Sequence, residues 1–347
     1  MGTVSFDVRE EHAEFRPRRF LAGGHVQTLA SFFITRRFSL KQPEERLIEV
    51  EPGILVLCHC HWQADRRSAL TVILVHGLEG SSDSNYMLGI AEKGIATGMN
   101  VIRMNQRTCG GTDRLAPTLY HSGRSADVAA VAQHLVETDG VSRFALCGFS
   151  MGGNLVLKTA GEWGANGPGQ FCAVAAVCPA VDLAVSADAL HLPANRLYEQ
   201  YFVWKLKARM RAKAKCFPGK YDLSRLRGLK SLREFDDKVT AFYCGFDGAV
   251  DYYARAAAAN VIDRIAVPTH ILYAANDPFI RITPETRRKI AANPMITFCE
   301  TADGGHCSFV GERNGYDGHY AERVVVDFFQ TIWILNHSAK LLRFFGL

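Results

Sequence analysis

The residues best suited to covalent chemistry are a serine, an aspartate and a histidine that follow one another in this order along the chain. Ser150 lies at the centre of Gly148-Phe149-Ser150-Met151-Gly152, a G-x-S-x-G pattern. Asp277 follows an apolar run that ends at Ala274, and His306 follows Asp303-Gly304-Gly305. A serine hydroxyl becomes a nucleophile when a histidine takes its proton and a carboxylate orients that histidine. The three residues therefore predict acyl transfer through a covalent intermediate.

The G-x-S-x-G pattern is short, so its meaning depends on the segments on either side. A strand-like run at residues 144–147 precedes it, and a helical pattern begins at Met151. A strand that turns sharply into a helix lifts the serine hydroxyl above the sheet, and flanking glycines let the backbone pass closely. The N terminus of the helix also favours the negative charge that develops on a reacting carbonyl. This context predicts that Ser150 is a nucleophile rather than part of an ordinary turn.

Both partners of Ser150 have rivals in the sequence. Asp303 is a rival acid, but it lies three residues from His306, where it would shape the loop. Asp247 is a second rival acid, in a segment that breaks the regular pattern of the chain. His319 is a rival base, although its position at the start of the last predicted helix suits a structural role. Asp277 and His306 are favoured because each follows a predicted strand, at the carboxyl edge of the sheet.

Acyl transfer also needs N–H donors for the oxyanion that forms on the attacked carbonyl. The residue after the nucleophile, Met151, is predicted to supply one backbone N–H. The second is predicted to come from Leu78, in the loop that His76-Gly77 opens after a buried strand.

The elements that must position the catalytic residues are strand-like and helix-like segments, which alternate from about residue 47 onward. The alternation predicts an α/β fold with a mostly parallel central sheet flanked by helices. The predicted strands cover residues 48–50, 54–58, 70–75, 100–104, 144–147, 171–178, 270–274 and 295–300. The predicted helices cover residues 85–97, 125–137 and 151–163, a segment from about 284, and a last segment from about 320 to 335.

Residues 183–250 interrupt the alternation and are predicted to form an inserted helical cap. Between residues 195 and 230 there are eleven Lys or Arg residues and two acidic ones. Leu197, Tyr201, Trp204 and Ala208 recur at helical spacing there, which predicts an amphipathic basic helix with these residues on its apolar face. The remaining predicted divisions are an N-terminal extension that packs on the core, at residues 1–45, and a core made of residues 46–182 and 251–347.

Composition excludes several classes of protein. The chain has 347 residues, of which 48% are hydrophobic and 22% charged, so it is not intrinsically disordered. A net charge of +5 is too small to indicate nucleic-acid binding. The sequence has no uninterrupted apolar run of about 18 residues and no apolar signal segment at its start. We therefore expect a soluble, cytoplasmic protein with reduced cysteines.

No metal or cofactor is predicted. Cys58-His59-Cys60-His61 is the one tempting cluster of ligands, but on a strand its cysteines face one side and its histidines the other. The sequence has neither a P-loop nor a full dinucleotide-binding fingerprint, and Gly110-Gly111 is too short to count as one.

The chain resembles the α/β-hydrolase superfamily and, within it, the YheT-like branch, from about Phe15 to its last residues. The less generic motifs that carry the resemblance are Gly24-His25-Val26-Gln27-Thr28, His76-Gly77-Leu78-Glu79-Gly80, Asn105-Gln106-Arg107 with Gly110-Gly111, Phe246-Asp247 leading to Asp251-Tyr252-Tyr253, and Asn276-Asp277-Pro278-Phe279. The resemblance implies an α/β-hydrolase fold, a Ser150–Asp277–His306 triad, and esterase, lipase or acyltransferase activity. Two departures from the family pattern are Asn276, where an acidic residue is common, and Cys307-Ser308, where Val-Gly or a similar pair is usual.

The sequence thus predicts a serine hydrolase of carboxylic esters that works through an acyl-enzyme and takes a small-molecule substrate with an apolar acyl or lipid-like group. Aromatic residues of the cap are predicted to contact that substrate: Tyr198, Tyr201, Phe202 and Trp204. The basic cap is also predicted to touch a membrane surface transiently. Alternatives are an acyltransferase with the same triad, or a non-catalytic binding protein on the same fold. Reactions that need an aspartate nucleophile are disfavoured by Ser150.

Overall fold

A computed structural model describes residues 15–344 of the chain, with side chains over residues 15–335. Residues 1–14 of the predicted N-terminal extension lie outside the described residues. The strands are β1 (Glu44–Glu51), β2 (Ile54–His61), β3 (Thr71–Val75), β4 (Asn100–Met104), β5 (Phe144–Phe149), β6 (Phe171–Val177), β7 (Thr269–Ala274) and β8 (Ile296–Thr301). The helices are α1 (Gly24–Phe33), α2 (Asn85–Ala96), α3 (Ser125–Asp139), α4 (Met151–Trp163), α5 (Leu183–Leu190), α6 (Arg196–Cys216), α7 (Leu232–Phe235), α8 (Phe242–Cys244), α9 (Ala249–Ala256), α10 (Pro284–Ala292) and α11 (Tyr320–Phe344).

The eight strands form one sheet in the order β1-β2-β4-β3-β5-β6-β7-β8. The β1–β2 hairpin and the β2–β4 pair are antiparallel, whereas every pair from β4 to β8 is parallel. Parallel neighbours require helical crossovers, which explains why strands and helices alternate in the sequence. The predicted α/β class and its mostly parallel, helix-flanked sheet are confirmed.

Both faces of the sheet are covered, so the central strands are apolar throughout. In β3, Ile73 and Val75 belong to one hydrophobic core, and Val72 and Leu74 belong to another on the opposite face. Helices α3 and α4 contribute to the first core, and α2 and α11 to the second. This explains why the sequence shows continuous apolar runs here rather than alternation.

On β2 the four consecutive Cys and His residues divide between the two faces of the strand. Cys58 and Cys60 are buried in the first core, whereas His61 lies beside Arg103, whose Nη2 is 3.3 Å from His61 Nε2. The four side chains therefore do not converge on one point.

Helices fill residues 183–256, between β6 and β7, and α6 is the longest of them. The predicted helix is present, but the predicted apolar face is wrong, because Leu197, Tyr201, Trp204 and Ala208 point outward. The buried face of α6 instead carries Glu199, Val203, Leu206, Met210 and Lys213.

The physical reason is that the inward face of α6 has specific partners. Leu206 and Met210 join a third hydrophobic cluster, which includes Tyr120 and Met151. Arg209 pairs with Glu79, and the buried Lys213 ammonium donates to the carbonyl groups of Asp113 and Ala116. Arg209 and Lys213, two cations of the predicted basic helix, therefore have structural roles.

Within the described residues, no helix combines the length and the apolar character required to cross a bilayer.

Candidate active site

Ser150 lies at the turn between β5, which ends at Phe149, and α4, which begins at Met151. Its backbone has φ 54° and ψ −118°, a conformation that is costly for a residue with a side chain. The turn is held by the Ser150 N–H, which donates to the Val177 carbonyl at 2.9 Å.

The glycines on either side of Ser150 are required by close contacts. A Cβ atom on Gly148 would lie 2.2 Å from the Gly152 carbonyl oxygen, and a Cβ atom on Gly152 would lie 2.2 Å from the Val75 carbonyl oxygen. Side chains at these positions would push the helix away from the sheet. The G-x-S-x-G pattern therefore reflects packing as well as chemistry.

Asp277 and His306 form a hydrogen-bonded pair at the carboxyl edge of the sheet. Asp277 Oδ2 is 2.8 Å from His306 Nδ1, and Asp277 is almost fully buried. Asp277 Oδ1 accepts the backbone N–H groups of Phe279 and Ile280 at 3.0 and 2.9 Å. One carboxylate oxygen is thus held by backbone N–H groups, while the other is hydrogen-bonded to the imidazole. In this arrangement the proton on His306 lies on Nδ1, and Nε2 is left to act as a base.

The loop that carries His306 is bound to α1. The His306 N–H donates to Thr28 Oγ1 at 2.8 Å, and Thr28 Oγ1 donates to the Gly24 carbonyl at 2.6 Å. Gln27 Oε1 accepts the Val310 N–H, and Gln27 Nε2 donates to the Val310 carbonyl. From the sequence alone, the Gly24–Thr28 motif is only one of the motifs shared with the family. Its role in positioning the base was missed, because its partners are about 280 residues further along the chain.

Ser150 and His306 border the same cavity, which brings the two predicted reacting groups to one place. No hydrogen bond joins their side chains in the described structure. The thiol of Cys307 lies 3.8 Å from His306 Nε2. Hydrogen bonds between a nucleophile and its base are often long without substrate and shorten when it binds.

The predicted oxyanion donors are the backbone N–H groups of Leu78 and Met151. Tyr86 Oη accepts the Gly77 N–H at 3.0 Å and Tyr120 Oη accepts the Glu79 N–H at 3.3 Å, so the groups on either side of Leu78 are occupied. Among the described residues, the N–H groups of Leu78 and Met151 have no protein acceptor. Both are therefore available to a ligand.

The loop that carries Leu78 is fixed by His76. His76 Nδ1 is 2.8 Å from the Gly77 carbonyl, and His76 Nε2 accepts the Gln106 N–H at 3.1 Å. Burial lowers the pKa of His76 to about 4, because the protonated ring would have no solvent and would face an N–H donor. His76 is therefore a neutral structural residue at physiological pH.

The rival acids and base lie in other positions. Asp303 accepts the Gly23 N–H at 2.9 Å and the Asn276 side chain at 2.7 Å, so it joins α1 to the loop before Asp277. Asp247 is exposed. His319 borders the cavity that Ser150 and His306 share, and its backbone N–H donates to Asp317.

Two cavities meet at Ser150, and this residue forms part of the wall of each. Cavity 1 is mainly apolar and extends under the cap; its walls include Leu119, Leu183, Ala187, Leu190, Leu206 and Phe235. Cavity 2 opens between α1 and α6 and contains His306; its walls include Ser31, Phe32, Ile34, Arg36 and Tyr86. Residues that border both cavities are Leu78, Ser150, Phe202 and Phe279.

The predicted substrate-contacting residues divide between these spaces. Tyr198, Tyr201 and Phe202 border cavity 2, and Phe202 borders cavity 1 as well. Trp204 lines neither of the two cavities, and 61% of its surface is exposed. It points outward because it belongs to the solvent-facing side of α6.

A family model for the α/β-hydrolase fold matches residues 71–312, which is more than half of the chain. The chain belongs to the α/β-hydrolase family. It is 30% identical over 305 residues to YheT of Escherichia coli (strain K12), a match that covers 86% of this chain and 88% of YheT. The predicted YheT-like relationship is thereby confirmed.

Other relatives of the chain are named for reactions of esters. Phospholipase ABHD3 of Mus musculus is 27% identical over 324 residues, covering 91% of this chain and 77% of the relative. Medium-chain fatty acid ethyl ester synthase/esterase 2 of Saccharomyces cerevisiae is 25% identical over 283 residues, covering 74% of this chain and 61% of the relative. Among solved structures, the esterase Pf2001 of Pyrococcus furiosus shares the fold, with a TM-score of 0.53, 16% identity, and coverage of 86% of this chain and 98% of that one.

Proposed function

We propose that this protein hydrolyses carboxylic esters through Ser150, His306 and Asp277. The observation that carries the proposal is the buried Asp277–His306 hydrogen bond beside a strained Ser150 in one cavity. Relatives named as an esterase and a phospholipase support ester hydrolysis in general.

In the proposed reaction, His306 Nε2 takes the proton of Ser150 as its Oγ attacks the ester carbonyl. Asp277 holds the ring and stabilises the imidazolium that forms. The N–H groups of Leu78 and Met151 bind the oxyanion. His306 then gives its proton to the leaving alcohol, and the acyl group stays on Ser150. Water, deprotonated by His306, releases the acid and restores the enzyme.

The two cavities suggest where the parts of the ester lie. The walls of cavity 1 are mainly aliphatic and aromatic, so we assign the acyl chain to it. Cavity 2 contains His306, which must protonate the leaving alcohol, so we assign the alcohol to it. This arrangement favours an ester with an apolar acyl chain of some length.

The same acyl-enzyme would give a new ester if an alcohol replaced water. One observation favours this second candidate: the yeast relative is named for both synthesis and hydrolysis of ethyl esters. The two reactions share every step up to the acyl-enzyme. They are separated by measuring the ratio of ester to acid formed as ethanol is added.

The test of the proposal is hydrolysis of p-nitrophenyl esters of increasing acyl length by the wild type and by Ser150→Ala. We expect the wild type to prefer a medium or long acyl chain, and the variant to lose at least about 10³-fold in kcat. Wild-type protein should also be labelled at Ser150 by a fluorophosphonate. The proposal fails if no ester is hydrolysed and Ser150 is not labelled.

We further propose that the mouth of cavity 2 docks on a lipid surface. The outward residues of α6 and α1 form an exposed apolar ridge, defined here as Leu197, Tyr201, Trp204, Val26, Leu29, Phe32 and Phe33. The Phe32 and Tyr201 rings are 6.3 Å apart, so the two helices form one surface at the cavity mouth. A monomer rarely exposes such a surface without a partner.

The charges around the ridge favour a membrane as that partner. Arg196, Arg211 and Lys215 are exposed on the same helix as Leu197 and Trp204. Apolar side chains flanked by cations suit an interface with acyl chains below and anionic headgroups above. A lipid-like ester could then pass from the bilayer into cavity 2 without crossing water.

A further inference from the structure

Two thiols lie close to the imidazole of His306, and neither thiol has a part in the proposed ester mechanism. Cys178 Sγ, Cys307 Sγ and one ring nitrogen of His306 lie within 4.8 Å of one another. Cys178 follows the last residue of β6, and Cys307 follows His306 directly, so two loops of the sheet edge bring the ligands together. We infer that these three side chains form a zinc-binding site and that bound Zn²⁺ inhibits the enzyme.

The spacing of the three atoms suits a tetrahedral ion. With Zn–S bonds of about 2.3 Å and Zn–N bonds of about 2.0–2.1 Å, ligands of one ion are roughly 3.5–3.8 Å apart. Cys307 Sγ is 3.8 Å from His306 Nε2. The remaining separations are at most 4.8 Å, so they need to shorten by no more than about 1.3 Å, which side-chain rotations can provide.

The surroundings of His306 match those of a zinc-bound histidine. Such a ligand usually gives its second ring N–H to a carboxylate, which fixes the ring and makes the coordinating nitrogen more basic. Asp277 Oδ2 does this at His306 Nδ1, at 2.8 Å. The geometry that prepares Nε2 to accept a proton therefore also prepares it to bind a metal.

The two thiols restrict which ion binds. Two sulfur ligands and one imidazole select Zn²⁺ over Mg²⁺ or Ca²⁺, which prefer oxygen. Coordination replaces the two S–H bonds by Zn–S bonds and releases two protons to solvent, so no oxidant or reductant is involved. Cys307 and His306 border cavity 2, which supplies the route for the ion.

Inhibition follows from the use of one nitrogen for two tasks. This step rests on the proposed function, because it requires His306 Nε2 to be the base. A lone pair bound to Zn²⁺ cannot take the proton of Ser150. Val or a similar residue is usual after the histidine in the family that this sequence resembles, so the second sulfur ligand distinguishes this chain from that pattern.

Metal binding is tested first, without using activity. The protein, kept reduced with a phosphine, is titrated with Co²⁺ and then Zn²⁺ while the absorption spectrum is recorded. We expect thiolate-to-cobalt charge-transfer bands and tetrahedral d–d bands, both removed by Zn²⁺ at one equivalent. In Cys178→Ala the apparent affinity should fall at least about tenfold, because one ligand is lost. Cys172→Ala, at the other end of the same strand, is the matched control and should bind like the wild type.

Two further measurements complete the test. Asp277→Asn should weaken binding by about 10–100-fold, because it removes the carboxylate behind the ligand. Zn²⁺ should inhibit ester hydrolysis by the wild type and Cys172→Ala at much lower concentration than it inhibits Cys178→Ala, each compared with its own rate without metal, and a chelator should reverse the effect.

The inference is overturned if the wild type shows no charge-transfer bands, or if Cys178→Ala binds as tightly as the wild type, which would indicate a different site. It is also overturned if the site fills without loss of activity. A protein that hydrolyses no ester but shows the cobalt bands would contradict the proposed function and leave the metal site intact.

Discussion

Asp277 performs a different task with each of its two oxygens, and this makes its replacement by asparagine informative. Oδ1 accepts two backbone N–H groups, so the amide oxygen of Asn must take that side. The amide NH₂ then faces His306 Nδ1 and donates to it. The imidazole is forced into the tautomer with its proton on Nε2, which cannot act as a base. We expect Asp277→Asn to lower kcat for ester hydrolysis by about 10⁴-fold with little change in stability.

The matched control is Asp303→Asn, the rival acid of the sequence analysis. Asp303 accepts the Gly23 N–H and the Asn276 side chain, and it does not touch His306. Its replacement should lower kcat by no more than about tenfold, through a looser loop. Equal losses in the two variants would contradict the assignment of Asp277 as the residue that orients His306.

At the scale of the element, α6 carries two apolar stripes, and only one of them is needed to hold the helix in place. Val203, Leu206 and Met210 pack inward, while Leu197 and Trp204 are exposed. Exchanging Leu197 and Trp204 for Glu should therefore leave the fold intact. It should weaken binding to vesicles of phosphatidylcholine and phosphatidylserine at least about tenfold, since each apolar side chain contributes about 1.5–3 kcal/mol when buried.

Vesicle sedimentation measures this binding, and a soluble short-chain ester shows whether the site is intact. Val250→Glu, at an exposed apolar residue of α9, is the control and should bind vesicles like the wild type. If the double variant binds vesicles normally, the ridge does not dock on lipid. If it instead converts a dimer into a monomer, the ridge is a contact between two copies of the chain.

The orientation of α6 also shows a limit of prediction from sequence. Leu197, Tyr201, Trp204 and Ala208 have the same helical spacing as a buried face, and so do Val203, Leu206 and Met210. Periodicity cannot choose between two such stripes, because the choice is made by partners elsewhere, such as Tyr120 and Glu79. By contrast, the G-x-S-x-G turn is defined by adjacent residues and was predicted with its flanking strand and helix.

The loops that follow β7 and β8 also combine features with a local sequence signal and features that depend on distant partners. Asp277 and His306 could be chosen because each follows a strand that the sequence shows clearly, and parallel strands end at one edge. The binding of the His306 loop to Thr28 and the approach of Cys178 to Cys307 could not be predicted. Each joins segments that are far apart in the chain and have no local signal in common.

At the scale of the whole molecule, stability should depend on pH through buried groups with shifted pKa values. Burial lowers the pKa of His76 to about 4 and that of His121 to about 3, against 6.5 for an unperturbed histidine. At a pH between the lowered pKa of each folded histidine and 6.5, the unfolded chain binds a proton that the folded protein does not. The stability that each neutral histidine contributes is therefore complete above pH 6.5 and is lost as the pH falls, by about 2 kcal/mol each between pH 7 and pH 5.

Asp236, in cavity 1, has the opposite effect. Burial raises its pKa to about 6 from 3.8, so the folded protein binds the proton more tightly and this group favours folding at lower pH. Urea unfolding at pH 5 and pH 7 separates the two contributions. The free energy of unfolding should change less between pH 7 and pH 5 in His121→Asn than in the wild type, by about 2 kcal/mol. In Asp236→Asn it should change more than in the wild type, by about 1 kcal/mol over the same interval. Changes of the same sign in both variants would contradict these assignments.

The hydrogen bond between His306 and Thr28 also bears on how the protein is made. The two residues are 278 positions apart, so at roughly 5–20 residues per second a ribosome produces them about 14–56 s apart. During the later part of that interval the growing chain carries Ser150, yet neither His306 nor the loop that α1 will hold exists. In the proposed mechanism, ester cleavage therefore begins only when an early helix meets a late loop. Until then, the proposed triad is incomplete and the growing chain cannot carry out the proposed reaction.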